Sequence, residues 1–209
     1  GNGNVAIGKA SLATSVDGDN NTAIGHQALN VYEGGDGEGS NTAVGKNAGL
    51  SVSTGQDNTL LGANAGDAIT TGINNIVIGK NAAASAVDVN NEITLGDSNI
   101  SAIRAQVTSI SSLSDKRDKK DIEDSVYGLE FLESLKPVTF EWNQRDGNRI
   151  GVKDVGFIAQ DLQEVDDEYT RLVYESNPDK LEATYGRLIP MLVKAIQELS
   201  EEVKQLKNK

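Results

Sequence analysis

The chain has 209 residues, a net charge of −12, no cysteine and a single histidine. A chain this acidic lacks the basic surface that phosphate contacts need, so neither nucleic acid nor an anionic membrane is an expected partner. The absence of cysteine excludes disulfides, thiolate metal sites and cysteine nucleophiles, and no apolar run is long enough for a membrane span.

Hydrophobic residues are 37% and aromatic residues 4% of the chain. Such a composition predicts burial of small side chains, or burial against other chains. The opening "GNGN" carries no signal-peptide pattern and reads as the interior of something longer.

Two halves differ sharply. Residues 1–105 hold 4 Lys/Arg and 10 Asp/Glu, residues 106–209 hold 15 and 21, and glycine splits 17 to 5 the other way. The shift predicts a boundary near Ser101–Ser114, with an Asn/Gly-rich all-β repeat stem over 1–105 and an α+β domain over 106–209.

The first half repeats. "NVAIGKAS" at 4, "NTAIGHQA" at 21, "NTAVGKNA" at 41, "NTLLGANA" at 58, "NIVIGKNA" at 75 and "NEITLGDS" at 91, the last slipped by one residue, place glycines at 8, 25, 45, 62, 79 and 96. Their spacings are 17, 20, 17, 17 and 17, the signature of an array whose units bury surface only against neighbours. The three extra residues fall in "EGGDGEGS", a surface loop. Within a unit, alternating pairs such as Val5 and Ile7, or Ile76 and Ile78, predict a strand with one buried face. The following glycine permits a tight corner, and "KNAG" or "HQAL" predicts a return strand. With so few large residues per unit, several chains wound about a shared axis are expected.

These six units resemble the repeats in head domains of trimeric autotransporter adhesins and in phage tail fibres. The resemblance implies a parallel homotrimer with a β-roll or solenoid; a monomeric β-helix is the alternative.

In the second half, "DIEDSVYGLEFLESL" predicts a helix over 121–135, with Val126, Leu129, Leu132 and Leu135 on one face and Pro137 ending it. "VTFEW" alternates Val138, Phe140 and Trp142 as a strand, and Asp146-Gly147 suits a turn. "VGFIAQDLQEV" reads as a strand followed by a short helix, and "RLVYES" and "LEATY" as two strands. The tail places Ile189, Ile196 and Val203 at one heptad position and Leu192, Leu199 and Leu206 at the other, a coiled-coil seam over 187–207. That residue pattern prefers two parallel strands. Either the tail is only part of the assembly, or the globular portion sets the copy number.

Chemistry centres on "LSDKRDKKDI", Leu113 to Ile122. His26 lies inside a repeat, so no Ser-His-Asp triad can be built locally around Ser114. Asp17, Asp19 and Asn21 only partly match a calcium loop, and neither metal nor cofactor is expected. Paired carboxylates cannot be recognised by spacing. Serine with lysine is left. A lysine is a base only when neutral, which requires burial or nearby positive charge to pull its ordinary value of about 10.4 down. Lys116, Arg117 and Lys120 push that way and Asp115 and Asp118 oppose it. The bland reading of the stretch is a solvated linker.

"SDKRDKKDIEDSVYGLEFLESLKPVTFEW", then "GFIAQDLQEV", then a terminal helix, closely resembles the peptidase S74 family, the C-terminal intramolecular chaperone domains of phage tailspikes and tail fibres, also found in myelin regulatory factor. The resemblance covers about 112–209. It implies a domain that trimerises a fibre, assists the winding of its β-rich stem and then cuts itself off, with Ser114 as nucleophile, Lys119 as general base and Ser114–Asp115 as the junction. The family's usual "S-D-x-R-L-K" has an apolar residue where this chain has Asp118.

Attack by Ser114 Oγ on the Leu113 carbonyl closes a five-membered ring and would cut 113–114. A cut at 114–115 needs another chain's serine or an activated water. The implied partners are two further copies, upstream fibre segments and a host-cell surface receptor. The implied location is the virion tail fibre, after folding in the host cytoplasm. The rival function is a bacterial trimeric surface adhesin that retains its trimerisation domain uncut.

Overall fold

The computed structural model describes residues 1–35, 38–107 and 109–208. The chain divides into two compact units, Gly1–Ser101 and Ala102–Lys209.

The first unit is a β-solenoid. Its strands are three residues each: β1 (Val5–Ile7), β2 (Thr22–Ile24), β3 (Thr42–Val44), β4 (Thr59–Leu61), β5 (Ile76–Ile78) and β6 (Ile93–Leu95). They form one sheet in sequence order, every pair parallel. The segment "EGGDGEGS" spans Asp36 and Gly37, which lie outside the described residues.

Two expectations are corrected here. No return strand forms: the residues after each glycine are turns, with left-handed backbone at Gln27, Asn47, Asn64 and Asn81 (φ 57°, 58°, 57° and 57°). Asparagine tolerates that geometry better than most side chains, and it cannot propagate as a strand. Strand polarity is also inverted. The middle residue points inward, with Ala23, Ala43, Leu60 and Val77 fully buried, while Val5 and Ile7 are 45% and 58% exposed. The one-residue slip of the sixth unit is as read from the sequence: Ile93 sits opposite Ile76, so Glu92, and not Asn91, occupies the position of Asn75.

That position carries the main internal polar network. Asn21, Asn41, Asn58 and Asn75 are fully buried. Asn58 shows the pattern: its backbone N–H and Nδ2 both donate to Asn41 Oδ1 at 3.1 Å, and Nδ2 also donates to Gly72 O at 2.8 Å. Its own Oδ1 accepts the same pair from Asn75 at 3.0 Å. A stacked amide donates and accepts on every rung, which satisfies groups that would otherwise be costly to bury. Glu92 ends the ladder. Its backbone N–H donates to Asn75 Oδ1 at 3.0 Å, while its carboxylate, having no hydrogen to pass on, accepts from Ser85 N and Oγ and from Thr94 Oγ1.

The second unit is α+β. A 3-10 turn (Lys116–Asp118) precedes α1 (Leu129–Ser134), the hairpin β7 (Val138–Asn143) and β8 (Ile150–Gly156), α2 (Ala159–Gln163), the two-residue pair β9 (Val173–Tyr174) and β10 (Glu182–Ala183), and α3 (Leu188–Lys207). The helix expected over 121–135 is confined to its second half: Gly128 caps it at φ −118°, ψ −136°, Asp121 has φ 50°, and Val126 is 82% exposed. Glu198 of α3 completes the start of α1 by accepting from Leu129 N at 2.7 Å. The core gathers Leu162, Leu172, Val173, Leu188 and Met191, with Phe131 and Leu132 packed on it.

Candidate functional site

Asp115 organises the stretch around Ser114. Its side chain caps the 3-10 turn by accepting from Arg117 N at 2.8 Å, and it holds the Arg117 guanidinium through Nε at 3.0 Å and Nη2 at 2.7 Å. Those hydrogen bonds, led by the guanidinium's, keep the Asp115 carboxyl below the usual carboxylate range, because they favour the charged form. The turn closes with Asp118 N donating to Asp115 O at 3.2 Å and Lys119 N to Lys116 O at 3.2 Å.

One turn of this kind brings position 119 back beside position 114. Lys119 Nζ donates to Ser114 Oγ at 2.6 Å. The resemblance pairs the two residues, and the structure places them in contact. Both are exposed on the single chain, as is Asp118, and Leu113 is 87% exposed. In the opposite sense, with a neutral amine accepting from the hydroxyl, the same contact is what a serine nucleophile needs from a general base. An open surface supplies none of the desolvation that neutralises a lysine. On the single chain the pair is in contact and open to solvent.

The roles of Asp115 and Arg117 as a clamp were not legible from residue types alone; the signal available was the i, i+2 spacing of opposite charges around a serine. His26 stands exposed on the solenoid, at the register position of Lys9 and Lys46. Asp19 is buried; its carboxylate accepts from Asn2 N and its carbonyl oxygen from Asn21 Nδ2. Among the described residues no group of three or more His, Cys, Asp or Glu is gathered as a metal site, and no helix is long and apolar enough to cross a membrane.

The seam of α3 is a second feature left exposed among the described residues. Leu188, Met191 and Ala195 are its buried residues. Ile189, Leu192, Ile196, Leu199, Val203 and Leu206 are all exposed, Ile196 at 64%. The helix does not spend its heptad face on its own domain.

No curated protein and no solved structure matches the chain. A family model does, and its match opens on Ser114 itself and runs through the clamp, α1, the β7–β8 hairpin and α2 to the first residue of β9. Residues 114–173 match the family model of peptidase S74, chaperone of endosialidase, and a β-solenoid precedes the matched segment.

Proposed function

We propose that the second unit is an intramolecular chaperone that gathers three copies of the chain, assists winding of the solenoid stem of a phage tail fibre, and then severs itself at the Ser114–Asp115 junction. The observation that carries the reading is the 2.6 Å contact between Lys119 Nζ and Ser114 Oγ, inside a segment of a family known for self-cleavage.

Two apolar faces support self-association. One is the α3 seam. The other is the outward column of the solenoid, Ile7, Ile24, Val44, Leu61, Ile78 and Leu95, stacked in register from β1 to β6. An apolar column running the length of a stem is costly in water and suits an identical column on another copy. Parallel rungs form slowly and expose edges while they form. A domain that holds the chains together raises their effective concentration during that interval, and its removal leaves the stem protected by the kinetic barrier to unwinding.

In the cutting step, Ser114 Oγ of one copy attacks the Ser114 carbonyl of its neighbour, since attack on its own carbonyl would close a four-membered ring. Lys119 takes the hydroxyl proton as the C–O bond forms, and gives it to the Asp115 nitrogen as the C–N bond breaks. Water then hydrolyses the ester, freeing Ser114 Oγ and leaving a carboxylate at Ser114. The neighbouring copy also supplies the cover that the exposed pair lacks.

The test is to refold wild-type chain with differently tagged Ser114→Ala chain, then run denaturing gels and mass spectrometry. Cleavage of the tagged Ser114→Ala chain in the mixture, with a fragment beginning at Asp115, is the expected result. A fragment beginning at Ser114 moves the cut to the five-membered-ring route within one chain, and an uncut wild type after long incubation ends the proposal of self-cleavage.

A further inference from the structure

The solenoid carries three lysines and ten acidic residues between positions 1 and 101. All three lysines, and the chain's one histidine, occupy a single register position, directly after the rung glycine: Lys9, His26, Lys46, Ala63 and Lys80 on successive rungs. The backbone fixes this column. Lys9 O accepts from Gln27 N, His26 O from Asn47 N, Lys46 O from Asn64 N and Ala63 O from Asn81 N, all at 2.8–2.9 Å. Lys9, His26, Lys46 and Lys80 are exposed, and none of them forms an ion pair among the described residues. No acidic residue takes the position on those five rungs; Asp97 takes it on the sixth. Beside the column runs an outer amide ladder, Asn47 to Asn64 at 3.1 Å and Asn64 to Asn81 at 2.9 Å.

The lysines stand on the first, third and fifth rungs. Rungs are spaced by about 4.8 Å, so cations recur every ~9.5 Å along a rigid line of roughly 19 Å. Like charges on adjacent strands repel, and alternation relieves that repulsion, but it does not explain why cations of an acidic unit collect in one column. A ligand with anions at the same interval does. We propose that this column binds an extended acidic polysaccharide bearing one carboxylate or sulfate per two sugar rings. Lysines take the anions as point charges, and the amide ladder donates and accepts with ring hydroxyls. A nucleic acid fits poorly: its charges recur about every 3.4 Å along a strand, and no aromatic residue stands in the column to stack a base. The inference concerns the solenoid alone and stands whether or not the second unit cuts.

The experiment uses the full chain and three immobilised probes of matched length: a hyaluronan oligosaccharide, with one carboxylate per two rings, an oligogalacturonate, with one on every ring, and single-stranded DNA. A neutral dextran serves as a blank. Binding to an acidic oligosaccharide is expected, weakening with salt. The Lys9→Ala, Lys46→Ala, Lys80→Ala triple variant should bind about tenfold or more weakly at unchanged native mass, while Lys116→Ala with Lys120→Ala leaves binding intact. Any of three results overturns the proposal: no binding at low salt to either oligosaccharide, equal or tighter binding to DNA, or a triple variant that keeps its affinity. A triple variant whose native mass falls also overturns it, because the column would then be a contact between copies.

Discussion

Arg117 and Asp115 form a closed pair between the two residues of the candidate site, with side-chain hydrogen bonds of 3.0 and 2.7 Å and a backbone bond of 2.8 Å. The pair sits on the outside of a three-residue turn whose function is to return the chain, so its geometry sets where Lys119 stands relative to Ser114. Arg117→Lys keeps a positive charge but cannot make the two-pronged contact. Misplacement of a reacting group by about 1 Å costs on the order of a hundredfold in rate. Self-cleavage of Arg117→Lys is therefore expected to slow by about that factor, read from band intensities over time, with native mass unchanged. Cleavage at the wild-type rate would show that the turn holds itself without the clamp.

Asp118 bears on the same turn from another direction. It occupies the place where the family's pattern has an apolar side chain, and its negative charge opposes neutralisation of a nearby lysine. Asp118→Leu should therefore speed cleavage at neutral pH, read from band intensities over time. A rate that is unchanged or lower would mean that this charge is already balanced in the assembled protein.

In the stem, the buried amides carry the rungs. Asn58→Ala removes two donors and one doubly used acceptor, and it strands Gly72 O and Asn75 N. That is expected to cost about 2–4 kcal/mol, read as loss of hydrogen-exchange protection on the rungs around β4. Asn64→Gly is the comparison. It keeps the left-handed backbone (φ 57°) and removes only the outer ladder, so its cost should stay below about 1 kcal/mol. Equal effects would assign the stability to backbone pairing alone. Gly45→Ala should be more damaging than either, since a Cβ there would overlap Gly62 O at φ 139°.

The repeat period, the solenoid class and the α+β character of the second half were legible because glycine and asparagine recur where only they fit. The direction of the strand residues was not. Val5 and Ile7 look like a buried pair, and a period of two cannot say which parity faces inward; the structure turns in the middle residue, Ala23, Ala43, Leu60 and Val77. The helix over 121–135 failed for a related reason: Val126 shares a face with Leu129 on paper, but Gly128 between them is the cap. The Ser114–Lys119 pairing could be read from the motif. The Asp115–Arg117 clamp that positions it, and the column of Lys9, Lys46 and Lys80, needed the register.

The α3 seam offers a direct test of the proposed self-association. Ile196 and Leu199 are exposed on the chain, so glutamate at either position disturbs nothing within the second unit. Ile196→Glu with Leu199→Glu should leave helix content intact and lower the native mass by light scattering. Met191→Ala, at a buried site, should do the reverse: about 2–4 kcal/mol lost from unit stability, with native mass retained until unfolding. A double glutamate variant of unchanged native mass would remove the seam from the assembly and leave the solenoid column as the face between copies.

Acid should loosen the second unit through Asp166. Partial burial pushes its carboxyl up, but hydrogen bonds from Thr170 Oγ1, Leu172 N and Val173 N outweigh that and hold it below its ordinary value. A carboxyl whose folded value lies below its unfolded one stabilises above the unfolded value, and that stabilisation is lost as pH falls through the folded value. The contribution is thus fully present at neutral pH and disappears below about pH 4. Asp166→Asn should lower the thermal midpoint at pH 7, since an amide turns a donor toward backbone N–H groups, at a cost of about 2–3 kcal/mol. It should also flatten the fall in midpoint below about pH 4 by Asp166's share, with Asp115, Asp154 and Asp167, whose carboxyls are also held low, contributing to the remainder. A variant that matches wild type at neutral pH and falls just as steeply in acid would show that the backbone of 172–173 is held by β10 pairing rather than by this carboxylate.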